Sequence, residues 1–211
     1  MRFDVRYRTL FSYNALAVDS HNEVRACPAT TPHQQVIDYE LHIAPPASVR
    51  SFDDGWGTIV DSFGVRLPHI AMEVVAEATV ETVTPPEVTS LVGINRLDEA
   101  GFVDDHFEYL LETPATRPSP AITEQAQAIR SGTHHVLGLA TSLQDEVRRR
   151  LAYRPGTTNV STTAAEVFDR GEGVCQDYAH LMVSLSRAAG LPARYVSGYF
   201  FERSDTEGDG G

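Results

Sequence analysis

The sequence predicts an α+β fold, with an antiparallel β-sandwich-like N-terminal half followed by a helical core, and three patterns carry that prediction. Apolar and polar residues alternate with period two through much of residues 1–84, the spacing of strands with one wet face. From Pro120 onward apolar residues recur three or four apart instead, the spacing of amphipathic helices. Finally, Gly171-Glu172-Gly173-Val174-Cys175-Gln176-Asp177-Tyr178-Ala179-His180 delivers one cysteine through a glycine-punctuated loop to the start of an apolar helix.

Along the first strand Phe3, Val5 and Tyr7 face one way, and Arg2, Asp4, Arg6 and Arg8 the other. Next, Ile37, Tyr39, Leu41 and Ile43 oppose Asp38, Glu40 and His42, until Pro45-Pro46 stops the ladder for want of an N–H donor. Asp53-Asp54-Gly55-Trp56-Gly57 has turn chemistry, and Thr58-Ile59-Val60 resumes a strand. A third alternation sets Ile70, Met72, Val74, Ala76, Ala78 and Val80 against Glu73, Glu77 and Glu81. Several antiparallel strands, each burying one face, predict a small sandwich. This half offers no convergent acids, phosphate loop or metal-ligand spacing. Arg6, Arg8 and Arg25 alternate with acids and read as a solvated face, while Cys27, beside Pro28 and away from any helix start, reads as structural.

Residues 85–119 are proline-rich and weakly periodic, the composition of a connector whose Phe102, Phe107, Tyr109, Leu110 and Leu111 pack rather than dangle. Asp104-Asp105-His106 within it reads as a solvated acidic turn, because three adjacent residues rarely face one point. The core then runs over 120–211. Ser119 caps and Pro120 opens a helix with Ile122, Ala126 and Ile129 on one side, ending near Gly132. His134-His135 fall in a loop. A second helix is capped by Ser142 and buries Leu143, Val147 and Leu151, its Arg148, Arg149 and Arg150 complementing the helix dipole. Thr163-Ala164-Ala165-Glu166 has capping-box spacing for a third, short helix through Val167 and Phe168.

In the fourth helix Val174, Tyr178, Leu181, Met182, Leu185 and Ala189 form one buried stripe, stopped by Gly190 and Pro192. Cys175 therefore sits in the first turn, where unpaired N–H groups and the macrodipole favour an anion by roughly 0.3–1 kcal/mol. A thiolate gains from that placement, so Cys175 is the candidate for chemistry. Beyond Pro192, Ala193 to Phe201 is rich in strand formers, and Glu202 to Gly211 is polar and glycine-rich.

The totals bound the function. A chain of 211 residues holds one large domain or two small ones. Net charge of −12 and a pI near 5.0 argue against nucleic acid or anionic membrane as partner. Two dissimilar cysteines make neither a disulfide framework nor a zinc site, so reduced thiols and a cytoplasmic setting are expected, and no cofactor is called for. The N-terminal stretch interleaves charge with every apolar residue, unlike a signal peptide.

Gly173-Val174-Cys175-Gln176-Asp177-Tyr178-Ala179-His180 and the following Arg187-Ala188-Ala189-Gly190-Leu191-Pro192-Ala193-Arg194-Tyr195-Val196-Ser197-Gly198-Tyr199 resemble the bacterial transglutaminase-like superfamily. The first 84 residues resemble, more weakly, the β-rich region that precedes this domain in bacterial members. The resemblance implies a papain-like core in which Cys175 attacks an amide carbonyl of a protein or peptide substrate, forms a thioester, and is released by water or an amine. It also implies the Cys175 backbone N–H as an oxyanion donor, a contact whose loss typically costs about 2.7–4 kcal/mol of barrier.

One departure stands out. The family places a histidine base and an orienting aspartate on strands after the segment matching Ser197-Gly198-Tyr199, whereas no histidine follows His180 here. His180 itself lies five residues from Cys175, about 140° around the helix, which leaves an upstream His106, His134 or His135 as the minor alternative for the base. Two readings stay open: a piece of a longer enzyme, inactive alone, or a non-catalytic binding module that keeps the fold. Unpartnered strand formers through Phe201 favour the first.

Overall fold

The computed structural model describes residues 1–88 and 91–201, which fall into two compact units, Met1–Glu87 joined by the residues from Gly198, and Val88–Ser197. The first unit holds β1 (Arg2–Ala17), β2 (Ser20–Val24), β3 (Gln34–Ala44), β4 (Val49–Asp53), β5 (Ile59–Val65) and β6 (His69–Thr82). They form two antiparallel three-stranded sheets, ordered β1-β6-β3 and β2-β5-β4. Phe63 and Val65 of β5 meet Met72 and Val74 of β6 in a core completed by Tyr13, Val24, Leu41 and Ile43. This is the sandwich that the alternation predicts.

Two residues leave the faces assigned to them. A register shift between Val36 and Asp38 puts Ile37 outside at 47% exposure, and Val36 takes the place opposite Val80. A bulge inserts one residue and so reverses the side-chain alternation behind it. Ile70 is 66% exposed for a related reason: β1 pairing shifts between Ser12 and Ala17, and regular alternation on β6 begins only at Met72.

A buried carboxyl joins the sheets. Asp61 of β5 is 1% exposed and accepts 2.6 Å bonds from Tyr39 Oη of β3 and Ser51 Oγ of β4. Burial, and then the hydrogen bond to Asp61 with its charge, hold the Tyr39 phenol well above its usual range. A raised phenol pKa favours folding fully below the unfolded value of about 10, and that contribution is lost as pH rises beyond it. Tyr39→Phe should therefore cost about 1–3 kcal/mol at neutral pH by leaving a buried acceptor unpaired. The variant should also lose less stability than wild type between neutral and alkaline pH. Urea midpoints at the two pH values check both statements, and an identical alkaline decline in the two proteins would sink the second.

Chain from Gly198 also belongs to this unit: Tyr199 Oη donates to Ala26 O at 2.6 Å, and the Phe201 ring lies 5.3 Å from Phe3. The expected strand over 193–201 makes no ladder among the described residues. Strand propensity is realised only against a neighbouring strand. The polar segment Glu202 to Gly211 lies outside the described residues.

The second unit begins with a 3₁₀ turn, Ile94–Asp98, followed by α1 (Ala100–Asp105) and α2 (Phe107–Leu110), so the connector carries short helical pieces that its weak periodicity did not announce. Leu97 is buried, and Ile94 and Phe102 pack on the helical core. Next come α3 (Pro120–Ser131), α4 (Val136–Arg150), β7 (Ala152–Tyr153), α5 (Ala164–Arg170), β8 (Glu172–Gly173) and α6 (Cys175–Ala188). Ser119 Oγ caps α3 from before Pro120, and Thr163 and Glu166 exchange both capping-box bonds on α5, as their spacing predicts. Helix α4 starts six residues before the expected Ser142 cap and adds the fully buried Leu139 to the stripe of Leu143 and Val147.

Helix α6 lies at the centre of this unit, with Leu181, Leu185 and Ala189 fully buried among residues of α3, α4 and α5. At its far end Arg187 donates to the carbonyls of Tyr109 (2.9 Å), Leu111 (2.6 Å) and Ala193 (2.9 Å) and to Thr116 Oγ1 (3.1 Å). One guanidinium thus fastens the segments before α3 and after α6 to the helix that begins with the cysteine. Among the described residues no helix is long and apolar enough to cross a membrane.

Candidate functional site

The approach to Cys175 is set by three short-range devices. Thr163 and Glu166 start α5, and Gly171 ends it in the left-handed conformation (φ +75°), which glycine adopts without steric cost. The chain then pairs in parallel with β7, Ala152 N–H donating to Gly171 O at 2.9 Å and Arg154 N–H to Gly173 O at 3.0 Å. From this pinned strand the backbone turns through Val174, extended at φ −111° and ψ −179°, directly into α6.

Cys175 is the first residue of α6 and is exposed. Its helix has an unusual start. The position before the first turn is normally filled by Ser, Thr, Asp or Asn, whose side chain takes an orphan N–H. Val174 has no polar side chain to offer. Instead the carboxyl of Asp177 reaches back and accepts from the Val174 N–H at 2.7 Å, one half of a capping box. The N–H groups of Cys175 and Gln176, which have no intrahelical acceptor, are left next to the thiol.

Asp177 is 1% exposed, and its Oδ2 also accepts from Thr158 Oγ1 at 2.6 Å. Gly173 is packed against it: a Cβ at Gly173 would stand 2.6 Å from Asp177 Cβ and 2.7 Å from Oδ2. The loop that carries Thr158 is itself braced, by Arg170 donating to Thr157 O and by Asn159 and Thr162 exchanging bonds at 3.0 Å. Behind the turn Tyr178 Oη donates to Leu151 O at 2.6 Å.

Sequence reasoning put Cys175 at a helix start and did not find Asp177 or Thr158. An acidic residue at the third helical position behind an apolar cap was the available signal for Asp177. No local signal points to Thr158, because its partner lies 19 residues on.

The histidines sit elsewhere. Among the described residues no histidine ring is within hydrogen-bonding distance of the Cys175 thiol. His180 lies on α6 with its ring 5.6 Å from Tyr195, and its Nδ1, like Ser184 Oγ one turn further on, is buried without a partner. His106 stacks on Phe102, its Nδ1 2.9 Å from Phe102 O, and His135 flanks the start of α4. Among the described residues no group of three His, Cys, Asp or Glu side chains could hold a metal, Asp104-Asp105-His106 included.

The other thiol has a different setting. Cys27 is half-buried, its Sγ donates to Pro28 O at 3.6 Å, and burial followed by the charge of Asp61 pushes its pKa up.

Comparison with known proteins matches residues 123–210 to the transglutaminase-like superfamily and residues 3–81 to the bacterial transglutaminase-like N-terminal region. An uncharacterized protein of Mycobacterium leprae is 30% identical over 204 residues, covering 97% of this chain and 73% of that protein. Uncharacterized proteins of Mycobacterium bovis and Mycobacterium tuberculosis are 30% identical over 207 residues, and the chain spans 65% of their length. Among solved structures, a protein of Cytophaga hutchinsonii described as a "putative cysteine protease" superposes with a TM-score of 0.72 over 91% of this chain and 65% of that one, at 20% identity.

Proposed function

Because the chain belongs to the transglutaminase-like superfamily, with that family's bacterial N-terminal region in front, we propose that Cys175 is the nucleophile of a cysteine acyltransferase or amidohydrolase acting on protein or peptide amides. The observation that carries this reading is the exposed thiol on the first residue of α6, beside N–H groups that no side chain caps among the described residues. In the proposed reaction the Cys175 sulfur attacks the amide carbonyl, and the Cys175 N–H receives the developing oxyanion. The C–N bond then breaks, and the amine leaves with a proton from a general acid. Water or a second amine resolves the thioester. The histidine and aspartate that move protons are to come from outside the residues described here, consistent with relatives of which this chain spans 65–73%. Both cysteines are free thiols, which suits a reducing, cytoplasmic setting.

A non-catalytic binding module is the competing reading, favoured by the absence of a histidine beside the thiol among the described residues. Alkylation separates them. Iodoacetamide near neutral pH should modify Cys175 faster than Cys27, whose thiol is half-buried and held protonated. Peptide mapping during the time course reads the two rates. Equal rates, or faster loss of Cys27, would favour the binding module.

A further inference from the structure

The contacts around Asp177 give it more to do than start a helix. Its carboxyl is buried, faces no cation among the described ion pairs, and receives two short hydrogen bonds on one oxygen, from Val174 N–H at 2.7 Å and Thr158 Oγ1 at 2.6 Å. A carboxylate placed before the helix would have taken first-turn N–H groups for itself. Placed at the third position, it holds the backbone N–H that precedes Cys175 and leaves those of Cys175 and Gln176 untouched. The close approach of Gly173 leaves the carboxyl no room to swing away. Through Thr158 the same oxygen ties the turn to the braced 155–163 loop, and Gln176 Nε2 reaches Val160 O of that loop at 3.5 Å.

We propose that Asp177 and Thr158 are positioning residues: together they fix the 173–175 turn against the 155–163 loop so that the Cys175 N–H is aimed where an oxyanion forms. This deepens the reading of Cys175 as nucleophile and rests on it. A turn loosened at Asp177 keeps its exposed thiol but loses the aim of the donor. Reactions that build an oxyanion and reactions that do not should therefore respond differently.

Two reagents make that separation in the full chain carrying Cys27→Ala. With p-nitrophenyl acetate the Cys175 thiolate adds to the ester carbonyl, a tetrahedral oxyanion forms, p-nitrophenolate departs with the C–O bonding pair, and an acetyl thioester remains. With iodoacetamide the thiolate displaces iodide from carbon and no oxyanion arises. Thr158→Val and Asp177→Asn should slow acylation about tenfold, the order expected for weakened oxyanion donation, and change alkylation by less than about twofold. Thr158→Ser, which keeps the hydroxyl, should restore acylation. A purely structural role would move both rates together with the urea midpoint and would not respond to serine in this selective way. Parallel changes, or unchanged acylation in a folded Thr158→Val chain, would overturn the proposal. The Cys175→Ala chain, with Cys27 as its one thiol, supplies the background. If Cys175 reacts no faster than that background, the nucleophile reading fails as well, so the two failures are distinguishable.

Discussion

Replacing Gly173 by alanine is expected to destabilise the helical unit by several kcal/mol and to disorganise the turn before Cys175. The new Cβ would stand 2.6 Å from Asp177 Cβ and 2.9 Å from its Cγ, far inside van der Waals contact. Neither neighbour can yield cheaply. Asp177 is buried and held by two hydrogen bonds, and the Gly173 backbone is held by the N–H of Arg154, the residue after β7. Overpacking of this kind costs about 1–3 kcal/mol, and pulling a buried carboxyl off its donors adds roughly 1–3 kcal/mol more. Gly138→Ala supplies the control. Gly138 lies inside α4, an added Cβ meets nothing within 4 Å, and the change should be neutral or stabilise by up to about 1 kcal/mol. Urea unfolding of the two variants measures the contrast. Equal midpoints would mean that the Gly173–Asp177 approach carries no energetic weight.

The sequence made some of these elements readable and hid others, for physical reasons that differ. Alternation on β1, β3 and β6 follows from one buried face per strand, so it appears directly in the residues, as do the Ser119–Pro120 start of α3 and the Thr163–Glu166 box on α5. The bulge at Ile37 is invisible, because an apolar residue fits the alternation whichever face it takes. The true start of α4 was obscured by Gly138 and Ser142, which look like a break and a cap but lie within the helix, where Leu139 and Leu143 supply the burial that overrides propensity. The short helices of 94–110 are too brief to show a period, and Ala193 to Phe201 cannot display strand structure without a ladder partner.

At the site the division is sharper. Cys175 was legible because glycines, a helix start and a family motif coincide on ten residues. Its support was not. Thr158, Leu151 and Arg154 hold the turn from positions scattered through the preceding segment, and only folding brings them to Asp177, Tyr178 and Gly173. The features that single out Cys175 fit in one turn of helix, whereas the contacts that hold that turn are tertiary.

The largest effect is expected from Cys175→Ala in the protein at its natural full length. If catalysis passes through a thioester, removing the sulfur removes the covalent route altogether, and amide turnover should fall by roughly 10⁴-fold or more. On the same reading Asp177→Asn should leave the Cys175 sulfur in place and cost far less, which separates loss of the thiol from loosening of the turn that carries it. The most direct measurement is capture of the intermediate: rapid quench of the full-length protein with a glutamine-containing peptide, followed by peptide mapping of the acylated residue with and without hydroxylamine. The expected result is an acyl adduct on the peptide containing Cys175, discharged by hydroxylamine and absent from Cys175→Ala. An adduct on Cys27 or any other residue, or undiminished turnover in Cys175→Ala, would contradict it.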